Sequence, residues 1–302
     1  MKKFFKFNYL FVIFVILSLF YAIFYAVDYK TNRIDNNKTS QILKETCSKE
    51  ENKDTEVCQS FLANNSSASQ KIDTLTVYYD FINSSVFKYL SVFGIILVSC
   101  CVLQKIKYDE SAKYHLIRED YFSYLKKFFK KAFSCCFLLP TILLISFICS
   151  YLVSQSFDYT YAIQSSLSTF DPQHLILGWK FFFLIEVSMF IMSFIYICYT
   201  LLAYRFVNNK YVALVLAFMI LIVNEIFIDL VIGFFLSILL QINTHSYLNL
   251  INTLNFVDVP NIYIYIFIRL IILVVYFVIV LLVYRNKESY VLQVEKMEDK
   301  KR

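Results

Sequence analysis

Residues 262–284 read IYIYIFIRLIILVVYFVIVLLVY, an apolar run in which Arg269 is the sole charge. A helix needs roughly 20 such residues, at about 1.5 Å each, to cross the hydrocarbon core of a bilayer. Lipid offers no partner to backbone N–H and C=O groups, so a run of this kind must satisfy its own backbone as a helix. Five further apolar runs accompany it: Tyr9–Val27, Val86–Leu103, Ala132–Val153, Phe181–Leu202 and Tyr211–Asp229. The chain of 302 residues is 59% hydrophobic and 17% charged, whereas soluble domains carry about 25% charged residues. A membrane β-barrel would alternate apolar and polar residues, and these runs are continuous. The sequence therefore predicts an all-α polytopic membrane protein with six transmembrane helices.

Orientation follows from Lys and Arg, which concentrate on the cytoplasmic side of short loops. Lys2, Lys3 and Lys6 precede the first run; Lys105 to Lys131 carry eight basic residues after the second; Arg205 and Lys210 follow the fourth, and the tail from Arg285 is basic again. Residues 154–179 and 241–268 hold neither Lys nor Arg. Both termini are therefore expected in the cytoplasm. The organisation reads as a cytoplasmic N-terminus at 1–8, a first span at 9–27, and an external loop or small domain at 28–85. Spans 2–6 then lie within 86–284, with a cytoplasmic segment at 109–131, and a cytoplasmic tail at 285–302. The apolar stretch of Met1–Ala26 exceeds the roughly 7–15 residues of a signal-peptide core, which favours an uncleaved first span. Leu230–Gln241 is apolar as well, and reading it into the fifth span would give about 45 Å of helix, too long for a core of about 30 Å. A break near Gly233 is expected instead, with a re-entrant hairpin over Leu230–Phe256 before Pro260 opens the sixth span.

Charges within spans are costly, at least about 2.5–3.5 kcal/mol each at mid-membrane, unless paired or wetted. Glu186, Glu225 and Arg269 occupy such positions, and counting residues puts all three about 10 Å below the outer surface. Asp229 follows Glu225 by one turn on the same face. Arg269 is expected to pair with Glu225 or Glu186, as a register-fixing ion pair or as part of a substrate-facing polar patch. Cys47 and Cys58 lie in the external segment, where disulfides persist, and a bond between them is expected; the other six Cys sit within or beside apolar runs as small hydrophobes.

In the cytoplasmic segment, Ile117, Tyr121, Leu125 and Phe128 fall on one face of a helix, opposite Lys126, Lys127, Lys130 and Lys131. Such a helix can lie among anionic lipid headgroups, present its face to a cytosolic partner, or simply begin the third span. The net charge of +6 lies beside apolar runs and points to anionic lipid, not nucleic acid. His115, His174 and His245 lie in separate loops, and HExxH, GxSxG, zinc-spaced cysteines and a Gly-rich phosphate loop are all missing from the sequence. No catalytic role, metal or cofactor is expected, and any nucleotide hydrolysis would belong to a partner.

Six spans with both ends inside, a basic amphipathic segment at Arg118–Lys131 between the second and third spans, and an apolar hairpin between the fifth and sixth make an arrangement that resembles the permease subunits of type-2 ATP-binding-cassette exporters. The external segment 28–85 also falls where some members carry a domain. The resemblance is one of topology across nearly the whole chain and rests on no residue motif. It implies a homo- or heterodimer of permease chains bound to two cytosolic ATPase subunits. Arg118, Tyr121, Phe122, Leu125 and Phe128 would form the coupling contact, and a cargo would pass between the permease halves of a plasma membrane. The Lys-, Asn-, Ile-, Phe- and Tyr-rich composition suggests an AT-biased bacterial genome. Two other readings fit the topology: an accessory or structural membrane protein, such as an assembly or immunity factor, and the membrane substrate-capture subunit of an uptake system.

Overall fold

A computed structural model describes residues 9–47, 74–108, 120–155, 178–207, 209–234, 238 and 262–286. Among them the fold is all-helical, with no strand. The elements are α1 (Tyr9–Cys47), α2 (Thr74–Asn83), α3 (Ser85–Tyr108), α4 (Tyr121–Phe133), α5 (Leu138–Ser154), α6 (Gly178–Phe206), α7 (Lys210–Ile226) and α8 (Ile262–Tyr284). Among the described residues, five stretches are long and apolar enough to cross a membrane: Val12–Asn32, Ser85–Ile106, Tyr121–Ser154, Phe182–Phe206 and Ile266–Tyr284. A sixth apolar helical stretch, Tyr211–Ile226, is shorter.

The helix α6 is the axis. From Ile195 to Arg205 every side chain is buried, as expected of a helix enclosed on all sides. Against it lie α3, α5, α7 and α8. The first helix packs on the far side, against α5 and α2. Between apolar helices in lipid there is little hydrophobic drive, so close approach depends on small residues at the contact. The buried face of α1 carries Ser18, Ala22 and Ala26 at every fourth position, and that of α7 carries Ala213 and Ala217. On α5 the buried Ser146 and Ser150 turn their hydroxyls onto the carbonyls of Ile142 and Ser146, which lets each side chain face a neighbouring helix without an unsatisfied donor.

Local chemistry explains the joints. Pro140 in the first turn of α5 has no N–H, and its ring crowds the carbonyl four residues earlier. The chain accordingly tightens into a 3-10 turn over Ser134–Phe137 where α4 passes into α5. The side chain of Asn209 caps α7 by accepting from the Tyr211 N–H at 2.9 Å, an arrangement that favours helix initiation.

Three features differ from the sequence reading or extend it. The first helix does not stop at Val27 but continues to Cys47. No Gly or Pro interrupts residues 9–47, and adding a turn to an existing helix is far easier than nucleating one. Residues 74–83, assigned to the external segment, form α2 and are inserted into the bundle: Leu75, Val77, Tyr78, Phe81 and Ile82 are buried. At this end Lys30 donates to the Val153 carbonyl at 3.0 Å, and Thr74 and Ser154 share a hydrogen bond of 2.7 Å. After Ile226 the helix widens into a π turn at Phe227–Gly233, so the chain stays helical through Phe234, where a break near Gly233 was expected. Apart from Ile238, the rest of the expected hairpin lies outside the described residues, as do residues 1–8 and 287–302.

Gly94 of α3 is buried with the Phe14 ring of α1 lying directly against it, and a Cβ at this position would overlap that ring. Gly94→Ala should therefore destabilise the detergent-solubilised protein by about 1–3 kcal/mol, the scale of an overpacked core, read as a lower thermal midpoint. In a Phe14→Ala background the same substitution should cost little.

Candidate functional site

Among the described residues, two polar assemblies are built around α8. This helix is otherwise widely exposed, at Phe267, Ile271, Val274 and Val278 among others. Its inward seam is marked by Arg269, which is fully buried, the half-buried Tyr276, and the buried Val280 and Tyr284. Arg269 and Tyr276 are seven residues apart, which places them on one face two turns from each other.

The first assembly centres on Asn224 of α7. Its amide donates to the Tyr199 hydroxyl of α6 at 2.7 Å, and its carbonyl oxygen accepts from the Tyr276 hydroxyl of α8. The two phenol rings meet edge to face, 4.8 Å apart. One amide thus joins three helices and leaves none of its partners' hydroxyls in bare hydrocarbon. The neighbouring Glu225 is only 8% exposed, and its carboxylate acts electrostatically on both phenols. The π turn that begins two residues later rotates the helix just beyond this point, and such turns recur where a bundle presents polar groups.

Glu186 does not join this group. Thirteen residues separate it from Tyr199, a rotation that puts the two on opposite sides of α6. Its carboxylate instead lies beside the Tyr78 hydroxyl of α2. The Tyr78 ring packs on Phe147 and Phe182 at 5.5 and 5.7 Å. The four residues expected to form one charged cluster are thus divided: Glu225 lies with the Asn224 group, Arg269 lies on the same seam of α8, and Glu186 lies across the bundle. Asp229 falls within the π turn.

The second assembly ties α4 to the C-terminal end of α8. The last carbonyls of a helix have no intrahelical partner, and here side chains supply them. Tyr121 of α4 donates to the Tyr284 carbonyl at 2.7 Å, and Arg205 Nε of α6 donates to the Val283 carbonyl at 3.2 Å. The Tyr284 hydroxyl in turn donates to Leu201 of α6 at 2.9 Å. The guanidinium of Arg205 lies 5.9 Å from the Tyr284 ring centre, and Phe128 and Phe129 pack on the same ring. Tyr204 extends the network to α3 through the Cys100 carbonyl at 2.7 Å.

This geometry settles which side of α4 is spoken for. Tyr121, Leu125 and Phe128, spaced in the sequence as one face, are buried against the chain's own bundle together with Tyr124 and Ala132. The face left outward carries Lys126, Lys127, Lys130 and Lys131 and Phe122, which is 69% exposed. Arg118 lies outside the described residues. Cys47 is buried at the end of α1, Cys58 is outside the described residues, and the other six cysteines are free thiols. No group of three His, Cys, Asp or Glu side chains is assembled for a metal among the described residues.

Sequence reading singled out the charges and passed over Tyr199, Asn224, Tyr276 and Tyr284. An amide inside an apolar run, directly before Glu225, was the available signal. Asn224→Leu should leave two phenols without their partner and lower stability by about 1–2 kcal/mol, on the scale of intramembrane hydrogen bonds, measured by thermal unfolding in detergent. Tyr276→Phe, which removes one of the two bonds, should cost less. No protein-family model, curated protein or solved structure matches the chain.

Proposed function

We propose that this chain is the permease subunit of an ATP-driven exporter of the type-2 ATP-binding-cassette kind. In this reading it spans a bacterial plasma membrane six times, with both termini in the cytoplasm and a re-entrant hairpin over Leu230–Phe256. It works as a homo- or heterodimer on two cytosolic ATPase subunits. The observation that carries the reading is the position and construction of α4. An amphipathic helix stands between the second and third apolar spans, and its inward face is hydrogen-bonded and stacked onto the end of α8 through Tyr121, Phe128 and Tyr284. Its outward face keeps Phe122 exposed among lysines. A subunit that pushes on Phe122 would therefore move α8 and, through Tyr276, the Asn224 group. The described part of the positive end supports the orientation, since Lys105, Lys126, Lys130, Arg205 and Arg285 all come from one side of the sequence topology.

Within the spans, Arg269 pairs with Glu225 in this reading. Support comes from the burial of both and from the reach of Glu225 to the Tyr276 phenol on the helix that carries Arg269. Cys47 and Cys58 form an external disulfide, a reading supported by the burial of Cys47 at the far end of α1.

The test is recovery of partners from native membranes with an affinity-tagged chain. An ATPase carrying nucleotide-binding motifs should co-purify, and Phe122→Asp should lower its recovery about tenfold or more, as the loss of an aromatic anchor does, without changing the thermal midpoint. Recovery of no ATPase would sink the exporter reading. For the ion pair, Arg269→Leu alone should destabilise more than Arg269→Leu with Glu225→Leu, because the single change strands a buried carboxylate; equal losses would show that the two do not pair.

A further inference from the structure

A seam of aromatic rings on the outside of the bundle leads toward Lys126 and Lys130 of α4. Helices α5 and α8 both pack on α6 and not extensively on each other, so α6 forms the floor of a groove between them. Phe194 of α6 stacks on Phe133 at 4.0 Å, with an interplanar angle of 13°. Phe277 of α8 approaches both rings, at 5.9 and 6.0 Å. One turn farther from the α4 end, Phe137 and Phe190 pair at 5.2 Å. Phe133, Phe190 and Phe194 are half-buried against the core, Phe277 is half-buried and Phe137 is exposed, so the rings keep an apolar surface open along the seam. At its α4 end, Lys126 lies on the same flank of the helix as Phe133, seven residues on, with Lys130 beside it. Both lysines are exposed, and neither makes an ion pair among the described residues.

We infer that this groove is a binding site for an anionic phospholipid, with an acyl chain along Phe133, Phe194 and Phe277 and the headgroup phosphate on Lys126 and Lys130. The combination selects that occupant. A soluble phosphate would have no use for an aromatic recess, and a neutral lipid would have none for two cations. The buried apolar face of α4 holds the lysines in place, and α4 passes through the 3-10 turn into α5 without a loop. The site stands independently of the exporter reading, since it requires only that α4 lie at the headgroup level.

The test uses the full chain, purified in detergent and titrated with phosphatidylglycerol or phosphatidylcholine, with bound lipid counted by native mass spectrometry. Wild-type protein should retain phosphatidylglycerol in preference. Lys126→Gln with Lys130→Gln should weaken its binding roughly thirty-fold, each surface cation contributing about fivefold, while phosphatidylcholine binding stays as it was. Phe137→Ala, at an exposed ring that the fold does not depend on, should weaken both lipids. The site is overturned if the double lysine variant binds phosphatidylglycerol as wild type does, or if glycerol phosphate displaces the lipid as well as phosphatidylglycerol itself. It is overturned equally if the variant keeps its lipid and instead loses a co-purifying acidic protein, which would assign the lysines to a protein contact.

Discussion

Helices that share an apolar surrounding gain almost nothing by hiding apolar faces from one another, and this constraint governs the whole bundle. What holds such helices together is close contact where side chains are small and hydrogen bonding where they are polar. Both appear in turn around α6. The Ser18, Ala22 and Ala26 stripe lets α1 settle on its neighbours, and Gly94 admits the Phe14 ring to the surface of α3. Around α6, the helices α3, α7 and α8 are tied by phenols, one amide and one guanidinium, each spanning a helix boundary.

Helix α8 shows what the polar ties accomplish. With a largely exposed surface and α6 as its main neighbour, it has little packing to fix its rotation or its height. Tyr276 sets the rotation at mid-length by reaching Asn224, and the Tyr121, Arg205 and Tyr284 network sets the height at its end. The two ties sit about 12 Å apart along one seam, so a displacement felt at one is carried to the other by a continuous helix. The same ties connect α4, the only described helix with a strongly divided apolar and basic surface, to the interior where Glu225 lies.

Much of the fold was legible because long apolar runs, broken only by Gly94 and Pro140, leave the backbone a single option. Less legible was the extent of α1. Its second half, from Asp28 to Cys47, mixes Asn, Lys, Thr and Asp and reads as loop, yet it inherits helical geometry from the span before it. The short α2 was absorbed into a polar segment, since ten residues of mixed character give too little periodicity to separate a buried helix from a loop. In the candidate site, Glu225 and Arg269 stood out by charge alone. Tyr199, Tyr276 and Tyr284 did not, because among 24 tyrosines nothing local marks those whose hydroxyls are spent inside. Tyr121, Leu125 and Phe128 share the buried face of α4; what that face touches is set by α8, more than 150 residues away in sequence.

The length of α1 has a mechanical implication. From Ala26, the last small residue of the packed stripe, the helix continues for 21 residues to Cys47, about 31 Å of rod. The rod is also held beyond the stripe, by the Lys30 bond to the Val153 carbonyl and by the burial of Cys47 at its tip. A rotation of α1 within the bundle would therefore be transmitted along a rigid arm to whatever surrounds Cys47, with the Lys30 tie sharing the torque with the three small side chains.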